Sequence, residues 1–170
     1  MKRKLLSLAV IVALCVTMLP SAGWASENTG AIDEWQVSEA PETTGLWTDE
    51  KNYDISWYTD ADAGTTNFEL ENAADLAGLA AIVNGTATSN GKPVSDSFEN
   101  KTVTLKADTE FDLLAHAWIP IKGFEGTFNG NKDSGTAINN MVINLQGEFG
   151  GLFSYGMAGT IENVSVKEAY

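Results

Sequence analysis

Asp108, Glu110 and Asp112 are the residues whose types and spacing most invite chemistry. They alternate with Thr109, Phe111 and Leu113, and in an extended segment alternate side chains share one face. Three carboxylates on one face can hold Ca2+, or divide into the acid and base of glycan cleavage. In a chain with 23 acidic residues the same spacing is also that of a solvated face, and this is the reading adopted. Asp60, Asp62 and Glu71 stand at positions 1, 3 and 12 of a calcium-loop count. Gly64 and Thr65 occupy positions 5 and 6, where a ligand and a glycine are needed, so the stretch is read as a turn. Asn129, Asn131 and Asp133 are read as turn-formers. His116 is the only histidine, which rules out a HExxH zinc pair. A Ser–His–Asp set would rest on this one ring, in the apolar stretch "AHAWIPI" with no nucleophile elbow nearby, so His116 is read as structural or surface. No glycine loop has the strand-to-helix setting that phosphate binding needs. No residue is assigned a catalytic, cofactor-binding or metal-binding role, and Ca2+ on an acidic cluster is the single ligand left open.

The elements that would position these residues begin after a targeting segment. Lys2, Arg3 and Lys4 precede an apolar run from Leu5 to Leu19, then Pro20 and small residues up to Ala25. This is the anatomy of a secretory signal peptide, 1–25, too short for a comfortable membrane span. Cys15, the only cysteine, lies inside it, and bulky Leu14 before it argues against lipid attachment. The remaining 170 − 25 = 145 residues contain no cysteine, so neither a disulfide nor a thiol nucleophile is available. Cleavage removes three of ten basic residues and no acidic one, and the net charge becomes 7 − 23 = −16. Nucleic acid and anionic lipid both need a basic footprint and are excluded as main partners.

Residues 26–51 are polar and acidic and read as a flexible leader. Within it "APETTG" (40–45) is a loose match to a sortase signal; Ala40 stands where leucine belongs, and a linker is the simpler account. Residues 52–100 are expected to supply an N-terminal strand and a helix. "NYDISWYT" (52–59) alternates as a strand does. "FELENAADLAGLAAIVNG" (68–85) carries a helix capped by Asn72, with Asp75 in its first turn and a left-handed stop at Asn84-Gly85. Leu76, Leu79, Ala80 and Val83 form its apolar stripe. Residues 101–170 turn to short strands and glycine turns. Val103 and Leu105, Phe124 and Phe128, Met141 with Ile143 and Leu145, and Ile161 with Val164 and Val166 are the inward sets. Strand centres near Thr104, Thr127, Ile143 and Ser165 lie 23, 16 and 22 residues apart, the spacing of stacked repeats rather than of a sandwich.

"ENAADLAGLAAIVNG", "FENKTVTLKADTEFDL", "AWIPI", "FEGTFNG" with "INNMVIN", and "GGLFSYGMAGTIENVSV" follow in one order over residues 52–170. That order resembles the start of GLUG-motif surface proteins, secreted bacterial β-helix and adhesin-like repeat proteins. Gly150, Gly151, Leu152 and Phe153, then Gly159, Thr160, Ile161, Asn163 and Val164, make the motif; Ser154 replaces its usual glycine, and "FNGNKDSGTAIN" is longer than the family's turn. The resemblance implies a mostly β fold: a short right-handed parallel β-helix, or solenoid, with an N-terminal capping α-helix. In it Leu152, Phe153, Ile161, Val164 and Val166 would fill the inside, and the long turn would bulge between layers. It implies a bacterial origin, so the sequons at Asn84, Asn100 and Asn163 count as chance.

The expected protein is therefore a non-enzymatic module, secreted or at the cell surface, with a scaffold or adhesion role. Its partners would be an extracellular protein or a glycan; nucleic acid and membrane insertion after signal removal are not expected. The alternative is a carbohydrate-active β-helix enzyme, a polysaccharide lyase or hydrolase, working through Asp108, Glu110 and Asp112. No capping helix follows Val166, so end-to-end self-association or continuation of the repeat array is also expected.

Overall fold

The structure, a computed structural model, describes residues 40–143 and 150–170. The signal peptide with Cys15, residues 26–39 of the leader, and Leu145 lie outside the described residues. Strand predominates over helix, and two parallel sheets organise the chain. The first contains β1 (Asn67–Leu70), β4 (Thr102–Leu105), β6 (Thr127–Asn129) and β8 (Thr160–Glu162), in that order. The second contains β5 (Glu110–Asp112), β7 (Ala137–Met141) and β9 (Val166–Ala169). Between β1 and β4 lie the helix α2 (Ala73–Val83) and the antiparallel hairpin β2 (Ala87–Ser89) and β3 (Lys92–Val94). A short helix α1 (Ser56–Thr59) precedes β1.

The chain feeds the two sheets in turn: β4 then β5, β6 then β7, β8 then β9. In-register pairing stacks Phe68, Val103, Phe128 and Ile161 in one row, and Phe111, Ile138 and Val166 in another. The alternate positions face outward, as the two-residue period requires: Asn67, Thr102, Thr127 and Thr160 align there. Pairs in register therefore lie 35, 25 and 33 residues apart in the first sheet. The expected spacings of 23, 16 and 22 mixed strands of both sheets. Ile161 and Val166 were expected inside, but they are 39% and 41% exposed. Their strands pair along one edge only among the described residues, so their rows end there without a covering layer. Val164 and Phe153 are half-buried against the core, and Leu152 is buried, as expected.

Helix α2 begins as its sequence demands. Asn72 Oδ1 accepts the Asp75 N–H at 3.1 Å, and the Asp75 carboxylate accepts the Glu71 N–H at 2.8 Å. It ends at Gly85 (φ +71), whose N–H meets the Ile82 carbonyl while the Thr86 N–H meets that of Ala81. The expected single stripe is too narrow: every residue from Asp75 to Ile82 is buried, while Val83 is only half-buried. Gly78 explains how a helix fits so closely. A Cβ there would collide with the Asp54 carbonyl oxygen.

Residues 52–59 are not a strand. Asp54 accepts the Ser56 N–H at 2.8 Å and its hydroxyl at 3.0 Å, and Trp57 Nε1 donates to the Asp54 carbonyl at 2.9 Å. These local bonds offer the backbone a helical turn in place of a ladder, and α1 results. Nor does the leader extend to residue 51 as a flexible segment. Leu46 bridges Ala117 in parallel, and Trp47 is 7% exposed with Nε1 donating to the Leu113 carbonyl at 3.0 Å. Beyond β6, Asn131 (φ +54) and Gly135 (φ +78) flank a 3-10 turn at Lys132–Ser134, which accommodates the extra length of that connection. Asn131 Nδ2 donates to the Leu105 carbonyl at 3.0 Å, and Asn163 Nδ2 donates to Asn129 Oδ1 at 3.3 Å, tying successive turns together. Asn140 (φ +55) and Glu168 (φ +56) make matching bends in β7 and β9, which breaks the alternation expected through Met141 and Ile143.

Candidate functional site

The most built-up polar cluster in the described residues lies beside β1. The loop after β3 carries Asp96, whose Oδ1 accepts the N–H of Phe98 at 2.7 Å. That bond closes a tight turn and holds Phe98 at φ +62. A bulky side chain in this region costs on the order of 1–3 kcal/mol. The surroundings overcome it. The Phe98 ring is fully buried among Trp57, Tyr58, Phe68 and Phe124, with ring centroids 5.5 to 6.1 Å away. The Lys101 N–H bonds the Phe98 carbonyl at 3.0 Å. Gly126 allows the approach from below: a Cβ there would lie 2.5 Å from the Phe98 oxygen.

The other oxygen of Asp96 accepts the Tyr58 hydroxyl at 2.6 Å and also pairs with the Lys101 ammonium. Burial alone would raise the Asp96 carboxyl. Hydrogen bonds from Lys101, Tyr58 and the Phe98 N–H, with the Lys101 charge, outweigh it and hold the group below the usual carboxylate range. Burial, followed by the bond to Asp96 and its negative charge, pushes Tyr58 up to about 12. Lys101 Nζ also stands 5.9 Å from the Tyr58 ring centroid and 5.7 Å from that of Phe98. Tyr58, Ala61, Thr65, Phe68, Val94 and Lys101 line a cleft of about 550 Å3 here, a size typical of small-ligand sites.

The residues singled out from sequence lie elsewhere. Asp108 is in a left-handed turn (φ +52) with its N–H on the Ser134 carbonyl, so it leaves the alternation. Only Glu110 and Asp112 share the outer face of β5, and Asp112 Oδ1 accepts the Leu114 N–H and Asn140 Nδ2 at 3.0 and 3.1 Å. The expected three-carboxylate face does not form. His116 donates from Nδ1 to the Thr44 carbonyl at 2.6 Å and meets Trp47 edge-on at 4.8 Å. Asp62 lies in a turn, with its carbonyl accepting from Thr65, and Glu71 pairs with Lys106 at 3.1 Å. Asn129 accepts the Asn131 N–H at 2.9 Å, in keeping with a turn. Among the described residues no group of three His, Cys, Asp or Glu is placed to hold a metal ion. Also among them, no helix is long and apolar enough to cross a membrane. Sequence reasoning missed Asp96 and Lys101 altogether, and it placed Tyr58 on a strand; Tyr58 and Asp96 are 38 residues apart, and no local pattern joins them.

Comparison of the chain with protein-family models, with curated proteins and with solved structures finds no significant match.

Proposed function

We propose that this protein is a non-enzymatic extracellular module, a short right-handed parallel β-helix with an N-terminal capping helix. It serves as scaffold or adhesive surface at a bacterial cell surface or in a secreted protein. Its chief support is the alternate feeding of two in-register parallel sheets, which lets each turn bury its inward row only against its neighbours. The signal-peptide pattern at 1–25 and the GLUG-like stretch at 150–166 point the same way. The partner is an extracellular protein or a glycan; an acidic surface disfavours nucleic acid. The exposed inward residues Ile161 and Val166 make end-to-end association of copies, or continuation of the repeat array, part of the proposal.

The test is retention of the purified chain on immobilised extracellular polysaccharides and matrix proteins, with soluble products followed in parallel. Retention with no new reducing ends and no unsaturated sugar is expected. Product formation that disappears in a Glu110→Gln/Asp112→Asn double variant would instead establish the carbohydrate-active alternative.

A further inference from the structure

We infer that the cleft beside Tyr58, Phe68 and Lys101 is a binding site for a neutral sugar ring, such as the terminal residue of a glycan chain. The inference deepens the adhesive reading and rests on it. Its starting observation is the strained Phe98, held at φ +62 in a fully buried position. Such conformations persist where the surroundings over-determine them, and here those surroundings form one wall of a cleft. The charge pattern then selects the ligand. The ammonium of Lys101 is already balanced by Asp96, so an incoming anion would find no unpaired cation there. Asp62 also lines the cleft, and the secreted chain carries a net charge of 7 − 23 = −16, which repels anions further. A cation would find the Asp96 carboxylate already taken by Lys101 and Tyr58, and Asp62, on its exposed turn, alone to pair with.

A purely apolar ligand fits no better. Phe68, Val94 and Ala61 supply apolar wall, but the threonines Thr59, Thr65 and Thr66 also line the space. Covering them with hydrocarbon would strip their water without replacement. The Thr65 hydroxyl donates to the Asp62 carbonyl at 2.8 Å, which leaves its oxygen able to accept. Lys101 has N–H donors beyond the one that meets Asp96. A pyranose presents C–H groups on its faces and hydroxyls at its edges, and so satisfies apolar wall, donor and acceptor together.

The test is saturation-transfer NMR on the full chain with the methyl glycosides of glucose, galactose, mannose and N-acetylglucosamine, and with methyl glucuronide as the anionic counterpart. Transfer to the ring protons of at least one neutral glycoside is expected, with methyl glucuronide binding more weakly than methyl glucoside. Ala61→Leu, which narrows the cleft at a residue outside the Asp96 hydrogen bonds, should abolish transfer. Tyr58→Ala, checked for fold by circular dichroism, should weaken binding by about tenfold or more. No transfer from any neutral glycoside, transfer that survives Ala61→Leu, or tighter binding of the glucuronide would each overturn the site as assigned. Any of these would leave retention on polysaccharides or matrix proteins through other surfaces intact. Transfer accompanied by chemical breakdown of the sugar would keep the site and overturn the non-enzymatic reading instead.

Discussion

Gly78→Ala sets two physical rules against each other, and the structure decides between them. In the middle of a helix, alanine is favoured over glycine by about 0.8–1.0 kcal/mol, so propensity alone makes this substitution stabilising. The added Cβ would collide with the Asp54 backbone oxygen and come 3.1 Å from Ile55 Cγ2. A backbone oxygen cannot rotate aside as a side-chain tip can, so α2 and residues 54–55 must separate. The movement strains the bond from the Asp54 N–H to the Ala74 carbonyl (3.0 Å) and that from Trp57 Nε1 to the Asp54 carbonyl (2.9 Å). Two such bonds are worth about 1 kcal/mol each. Partial exposure of Ile55, now 7% exposed, adds about 1–2 kcal/mol. After the propensity gain, the net loss is about 2–3 kcal/mol, a fall in Tm of roughly 6–12 °C for a chain of this size. Thermal and urea melts of the full chain measure it. Gly91→Ala serves as the reference, because Gly91 has φ +72 and open space around it, so only the conformational cost of about 1 kcal/mol applies. A Gly78→Ala protein as stable as the parent, or more so, would refute the close approach of α2 to residues 54–55.

Asn131→Ala removes a left-handed residue and its bond to the Leu105 carbonyl, and should cost about 1–2 kcal/mol in chemical melts, whereas Asp133→Ala, on the same turn but exposed, should stay within about 0.5 kcal/mol. Trp47→Ala should destabilise by about 3–5 kcal/mol, because Trp47 is buried and bonded to Leu113; a loss below about 1 kcal/mol would return residues 44–51 to the flexible leader. Stability should fall at both pH extremes through one cluster. Asp96, held below its ordinary value, adds stability present above about pH 4 and lost as pH falls through its folded value; Tyr58, raised to about 12, adds stability present below about pH 10 and lost as pH rises through about 12. In an absorbance titration one tyrosine should ionise later than the others and move back toward them in Asp96→Asn; a titration without a late phase refutes the Tyr58–Asp96 contact.

Local signals in the sequence are legible where local chemistry decides the structure. The Asn72 cap, the stop at Gly85 and the inward pair Val103 and Leu105 all depend on neighbours a few residues away. Asn90-Gly91 is also a strong local signal: both residues have positive φ and join β2 to β3, yet no strand was expected on either side. Residues 53–58 show the opposite failure. Alternating aromatics suggest a strand, but the short side chain of Asp54 captures the Ser56 N–H and turns the chain into α1. Strand β1 was hidden for another reason: "FEL" runs straight into the helix cap, and only pairing with Thr102–Leu105 makes it a strand. The cleft beside Tyr58 was not legible at all. The polar cluster beside it, Tyr58, Asp96 and Lys101, comes from α1, the loop after β3 and the turn before β4, and nothing but the fold brings these residues together.

The place of this cluster in the molecule follows from what stacked sheets can and cannot host. In the paired layers each inward position is fixed by the residue in register above and below, as with Phe128 between Val103 and Ile161. Each outward position faces a row of like neighbours, as with Thr102, Thr127 and Thr160. Such repetition gives a surface of similar polar groups, and the hollow of about 350 Å3 over Thr102, Thr127 and Thr160 is lined by them. The first layer is different, because β1 lies at an edge of its sheet and is followed by a helix and a hairpin rather than by a strand of the second sheet. Irregular backbone there can bend Phe98 into a left-handed conformation and bring a lysine and a tyrosine of the cleft wall onto one aspartate. The cost of that bend is met by the aromatic column running from Phe98 through Phe124 to Phe153, with Phe153 also against Phe128. The regular layers thus act as the base, and the proposed site sits in the non-repeating first layer, where irregular backbone can place individual groups.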